Sequence, residues 1–88
     1  MITSNNILDV NEMDFEYEVV SYSQNSPVLV DFWAEWCQPC KKFSPLLEKL
    51  TIEAEGNLRL ARVNVDQNPN LAKLFNVRSI PTLKAFSQ

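Results

Sequence analysis

Histidine is absent from this 88-residue chain, glycine occurs once, and cysteine occurs only at positions 37 and 40. A structural zinc site takes four Cys or His ligands. One chain therefore carries half a set, and only a site shared between two chains, zinc or iron–sulfur, would complete it. No apolar run approaches membrane-spanning length. The opening stretch, MITSNNILDV, lacks the basic start and apolar core of an export signal. Charge is also modest: 8 Lys and Arg against 11 Asp and Glu leave a net −3, too mild and too evenly spread to mark nucleic acid or anionic lipid as a partner. Repeats, low-complexity tracts and obvious linkers are missing. These absences predict a soluble cytoplasmic protein with no nucleic-acid or membrane partner. In that compartment a cysteine pair is more often catalytic or metal-binding than a structural staple.

What is present suffices for one core. Apolar residues make up 45% and charged residues 22%, and the length suits one domain near the lower size limit, so any second domain lies outside this sequence. ILDV at 7–10 reads as a short strand, followed by a helix over 12–23 capped by Asn11, with Phe15, Val19 and Tyr22 on one face. VLVDFW at 28–33 is the near-continuous apolar run of a strand covered on both faces. Phe43, Leu46, Leu47, Leu50 and Ala54 follow helical spacing up to Gly56, with Pro45 inside. LRLARVNV at 58–65 is the next strand, parallel to the first by a right-handed crossover. DQNP at 66–69 is turn chemistry, with Asp66 or Asn68 as cap of a helix over 70–75 that Asn76 closes. TLKAF at 82–86 is the last strand. The predicted core includes Phe43, Leu46, Leu47, Leu50, Leu71, Leu74 and Phe75.

Three readings compete for FWAEWCQPCKKF at 32–43. As a staple the pair is weak, since closing a four-residue loop gains only about 2 kcal/mol against roughly 4.7 for a hundred residues. As a metal site it lacks ligands. As a redox couple it is well placed: Cys37 follows the C-terminal end of a strand and opens a helix, where free N–H groups, the helix dipole, Lys41 and Lys42 favour a thiolate. Pro39 suits a first helical turn. The Cys37 thiolate would attack a disulfide and Cys40 would resolve the product.

FWAEWCQPCK resembles the thioredoxin family, and DQNPNLAKLFNVRSIPTL continues the resemblance, which runs from about Ile7 to the last residue. It implies an α/β thioredoxin-like fold, a central mixed sheet flanked by helices, and a general protein-disulfide reductase. It further implies protein disulfides as substrates, a thioredoxin-reductase-like electron donor, a cis Ile80–Pro81 peptide, and no cofactor beyond the redox-active Cys37–Cys40 disulfide. Two features depart from the family: Gln38 replaces the usual glycine, which bears on potential and substrate fit, and the family's final strand and helix are lacking. The 1–88 domain is therefore expected to be C-terminally truncated or the N-terminal part of a longer chain. The rival reading is a thioredoxin-like binding module of a larger chaperone or scaffold protein.

Asp31 is the anomaly of VLVDFW. On its strand it shares a face with Leu29 and Trp33, so its charge is costly unless partnered or neutral. The residues alone leave a structural and a functional acid equally open; the resemblance implies a base that deprotonates Cys40 through water. Arg62 is read either as a charge holding Asp31 acidic, where the family commonly has lysine, or as a surface arginine with a buried stem. Trp36 is expected exposed beside the site. With Gln38, Pro39 and Ile80 it forms the expected substrate-contacting set, Ile80 and Pro81 offering backbone to an extended segment or forming a plain turn. The 82–86 strand, if left at an edge, could pair with a second molecule.

Overall fold

β2 (Val28–Trp33) is the spine of the molecule. Val28, Val30 and Phe32 on one face are fully buried, and so is Asp31 on the other, as expected of a strand covered on both sides. The computed structural model describes residues 5–88, so the first four residues of the stretch read for an export signal lie outside it. β1 (Ile7–Asp9), β3 (Arg59–Asn64) and β4 (Thr82–Phe86) complete a mixed sheet of order β1-β3-β2-β4. β3 runs parallel to β1 and β2, whereas β4 is antiparallel to β2 and forms an edge among the described strands. The long helix α1 (Gln38–Glu53) joins β2 to β3, and the short α2 (Pro69–Leu74) follows β3.

The face carrying Val28, Val30 and Phe32 packs with Val10, Phe15, Val19, Ala61, Val63 and Leu71. Phe15, Phe75 and Phe86 meet there with ring centroids 5.3–5.8 Å apart. Such contacts add about 0.5–1.5 kcal/mol each beyond area burial.

The segment after β1 departs from the predicted α-helix. It forms a wider π-helical turn over Glu16–Ser21 and a 3₁₀ turn over Tyr22–Gln24. A wider turn advances less per residue, so Ser23 rather than Tyr22 joins Phe15 and Val19 in the buried row. Tyr22 instead lies half-buried under the Arg59 guanidinium, 3.3 Å from its ring centroid. Asn11 caps nothing with its side chain, which accepts from Asn68 Nδ2 at 3.1 Å. Asn68 holds the N-cap position of α2 but makes no side-chain cap bond. Its amide accepts from the Glu12 N–H and donates to the Asn64 carbonyl, clipping the two loops together. Asn76, at φ 58°, closes α2 as expected. α1 ends at Glu53, and the left-handed reversal is shared by Glu55 (φ 51°) and Gly56 (φ 91°).

The predicted core needs correction at three leucines. Leu46, Leu50 and Leu74 are 60%, 54% and 71% exposed. α1 rests on the sheet through a narrow row at spacings of four, three and four: Cys40, Ser44, Leu47 and Thr51. Leu46 and Leu50 fall one position off that row, and Leu74 turns outward in the last turn of α2 while Leu71 turns in. Leu47→Ala is therefore expected to cost about 2–5 kcal/mol in denaturant unfolding, and Leu46→Ala to stay within about 0.5 kcal/mol.

Candidate active site

Cys37 is the N-cap of α1, with extended backbone (φ −85°, ψ 103°), and Pro39 sits in the first helical turn. This arrangement follows from the local sequence: proline cannot donate an N–H, and the first turn of a helix is where none is needed. The Cys37 sulfur accepts the Cys40 N–H at 3.1 Å, and the two cysteines form a disulfide with Cα atoms 5.3 Å apart. Both are buried, while Gln38, Pro39, Lys41 and Lys42 beside them are exposed. Free N–H groups at a helix start stabilise negative charge on sulfur.

Trp36 is exposed, as expected, and its indole N–H donates to Asp66 Oδ2 at 2.9 Å. That bond ties the cysteine loop to the turn after β3. The DQNP turn signature points only to the cap of α2, and carries no signal for this bond to a side chain 30 residues away. Ile80–Pro81 is a cis peptide, and Ile80 packs against Ala34, Cys37 and Cys40. Trp36 and Ile80, with Val65, Val77, Arg78 and Ser79, line a cleft of about 160 Å³.

On β2, the strand that leads into the cysteine loop, Asp31 is wholly buried. Burial pushes its carboxyl above the ordinary value of 3.8, opposed first by a hydrogen bond from Ser44 and then by the Arg62 charge. Ser44 donates to Oδ2 at 2.6 Å, whereas Arg62 Nε lies 4.0 Å from the same oxygen. Asp31 Oδ1 makes no hydrogen bond among the described residues. Arg62 is paired in register with Asp31, but its guanidinium is shared: Nη1 lies 3.7 Å from Asp9, and the group stacks 4.5 Å from the Trp33 ring centroid. Its side chain is 22% exposed, so the guanidinium is neither fully buried with Asp31 nor free in solvent. A second cleft, of about 260 Å³, opens beside Cys40, Ser44, Trp33 and Arg62. Ser44 was not singled out in the sequence; the available signal was its position four residues after Cys40. Among the described residues, no three His, Cys, Asp or Glu side chains gather to hold a metal ion.

The thioredoxin family model matches residues 6–88. The thioredoxin of Acidithiobacillus ferridurans is 48% identical over 83 residues, covering 94% of this chain and 75% of that protein. The thioredoxin of Thiocapsa roseopersicina is 42% identical over 80 residues, 91% of this chain and 86% of that protein. That of Rickettsia felis is 41% identical over 78 residues, 89% and 72% respectively.

The chain belongs to the thioredoxin family. It is a thiol–disulfide oxidoreductase with protein-disulfide reductase activity, and its redox group is the Cys37–Cys40 pair. No described helix is long and apolar enough to cross a membrane.

The raised proton affinity of Asp31 gives a signed prediction. Below its ordinary value both folded and unfolded states hold the proton; as pH rises the unfolded chain releases it first, so the native state loses stability until the native carboxyl ionises too. Asp31→Asn is expected to be more stable than wild type at pH 8, by on the order of 1–3 kcal/mol. Urea unfolding should show that advantage shrinking towards pH 4; a constant difference would contradict it.

Proposed function

We propose that Cys37 is the attacking thiolate and Cys40 the resolving thiol in reduction of protein disulfides. The Cys37 thiolate attacks one sulfur of the substrate disulfide, and the other leaves as a thiolate that takes a proton from solvent. Cys40 then loses its proton, through water, to the Asp31 carboxylate and attacks Cys37. The bond between Cys37 and substrate breaks, and two electrons leave with the second substrate thiolate. A thioredoxin-reductase-like dithiol donor in the cytoplasm returns the pair to the dithiol state. Trp36, Gln38, Pro39 and Ile80 would contact substrate, with Pro81 and Arg62 supporting the site.

The observation that carries this assignment is the hydrogen bond from the Cys40 N–H to the Cys37 sulfur at the helix N-cap. It favours charge on Cys37, while the Asp31 carboxylate below would oppose charge on Cys40. The binding-module alternative is not favoured, since both cysteines are present and joined.

Cys40→Ser is expected to trap a mixed disulfide with a protein substrate, and Cys37→Ser to trap none, as read on non-reducing gels. The reverse pattern would exchange the two roles. Equilibration in dithiol and disulfide buffers is expected to give a potential near roughly −270 mV; about −120 to −180 mV would point to oxidation or isomerisation instead. If the chain ends at Gln88, self-association through the 82–86 strand is a further proposal, resting on its edge position among the described strands. Sedimentation should show a concentration-dependent dimer, and a monomer throughout would refute it.

A further inference from the structure

Two groups oppose the burial of Asp31, and they are unequal. The Arg62 guanidinium stands 4.0 Å off and is divided between Asp31, Asp9 and the Trp33 ring. The Ser44 hydroxyl is 2.6 Å from Oδ2, and Ser44 and Asp31 are both buried. A hydrogen bond to a charged acceptor strengthens when solvent is excluded. Ser44 lies on α1 four residues after Cys40, and the two residues line the same cleft. Asp31 does not line that cleft, so Ser44 connects the carboxylate to the wall that holds Cys40.

We propose that Ser44 is a positioning residue of the exchange, its hydroxyl clamping the Asp31 carboxylate against the helix turn that carries Cys40 and keeping it available to take the Cys40 proton. This rests on the reading of Asp31 as the base. A base must be ionised to act, and burial alone drives this carboxyl towards its neutral form; the donor from Ser44 is the first of the two influences acting the other way. In the step itself the Cys40 S–H bond breaks, the proton passes through water to Asp31, and the sulfur electron pair attacks Cys37 of the mixed disulfide, breaking its bond to the substrate sulfur, which leaves as a thiolate with the electron pair. Ser44 contributes no atom to the products. The other charged groups around this centre are Arg62 from β3, with Asp9 of β1 behind it, Lys41 and Glu48 of α1 at the cleft, and Glu35 of the preceding turn. β4 brings only Leu83 opposite Asp31.

The test compares Ser44→Ala and Ser44→Thr in the pH dependence of kcat/KM for insulin-disulfide reduction, alongside NMR titration of the Asp31 carboxyl carbon. Alanine suits a helix interior and is smaller than serine, so the fold is retained. In Ser44→Ala the Asp31 midpoint should rise, and the rate on the acid limb should fall on the order of tenfold, the loss of one charge-assisted hydrogen bond. Ser44→Thr, which keeps the hydroxyl, should restore both. Profiles of Ser44→Ala that superimpose on wild type, or a shift in Ser44→Thr as large as in Ser44→Ala, would overturn the proposal. Asp31→Asn separates the two readings. If it keeps the wild-type profile, the base assignment falls and the Ser44 role with it; if it slows exchange while Ser44→Ala does not, only the Ser44 role falls.

Discussion

A carboxyl group held wholly out of water in the middle of β2 constrains everything above it. Moving a charge into such a place costs several kcal/mol unless donors meet it, and the donors must come from neighbouring elements in fixed positions. β3 brings Arg62 in register with Asp31, and α1 must lie across the strand so that Ser44 reaches the same oxygen. Apolar packing alone is non-directional and would tolerate a helix shifted along its axis. The hydrogen bond does not, and it therefore seats Ser44 against Asp31 and, with it, Cys40 one turn earlier on α1.

The opposite face of the sheet supplies rigidity rather than chemistry. Its valines and the Phe15, Phe75 and Phe86 rings form a dry core, and the Asn68 side chain fastens the segment after β1 to the turn before α2. On this base the cysteine loop is tethered at its exposed end by Trp36 to Asp66 and at its buried end by Ile80 packing on the disulfide. The loop is thus held from both sides while Gln38 and Pro39 remain open to solvent.

Much of this was legible in the sequence because local signals and burial agreed. VLVDFW and TLKAF coincide with β2 and β4 residue for residue, and Asn76 closes α2 because its left-handed backbone is one that asparagine tolerates. Asp31 stood out since a charge within an apolar strand needs an explanation. The misses arose where periodicity is silent about rotation. Leu46 and Leu50 share helical spacing with Leu47, and only the seat of α1 on the sheet shows which stripe faces inward. The π-helical turn after β1 also carries apolar residues at spacings an α-helix would share. The bonds of Ser44 to Asp31 and of Asp66 to Trp36 are illegible for a different reason: short polar side chains have many surface uses, and these partners lie 13 and 30 residues away in sequence.

Exposure does not distinguish the two sulfurs, since Cys37 and Cys40 are 3% and 2% accessible. The difference between them is electrostatic. Cys37 precedes the first helical turn and receives an N–H from it, whereas Cys40 lies within that turn, one turn from a serine bound to a buried carboxylate. A thiolate at the first position meets a donor and the positive end of the helix; on the proposed reading, a thiolate at the second would meet the Asp31 charge in a medium of low dielectric. On that reading the resolving cysteine stays protonated until a base relieves it, and a carboxyl whose proton affinity burial raises and the Ser44 hydrogen bond lowers is suited to that timing. In the proposed mechanism Cys37 is then free to attack first, and Cys40 is activated only when Asp31 takes its proton.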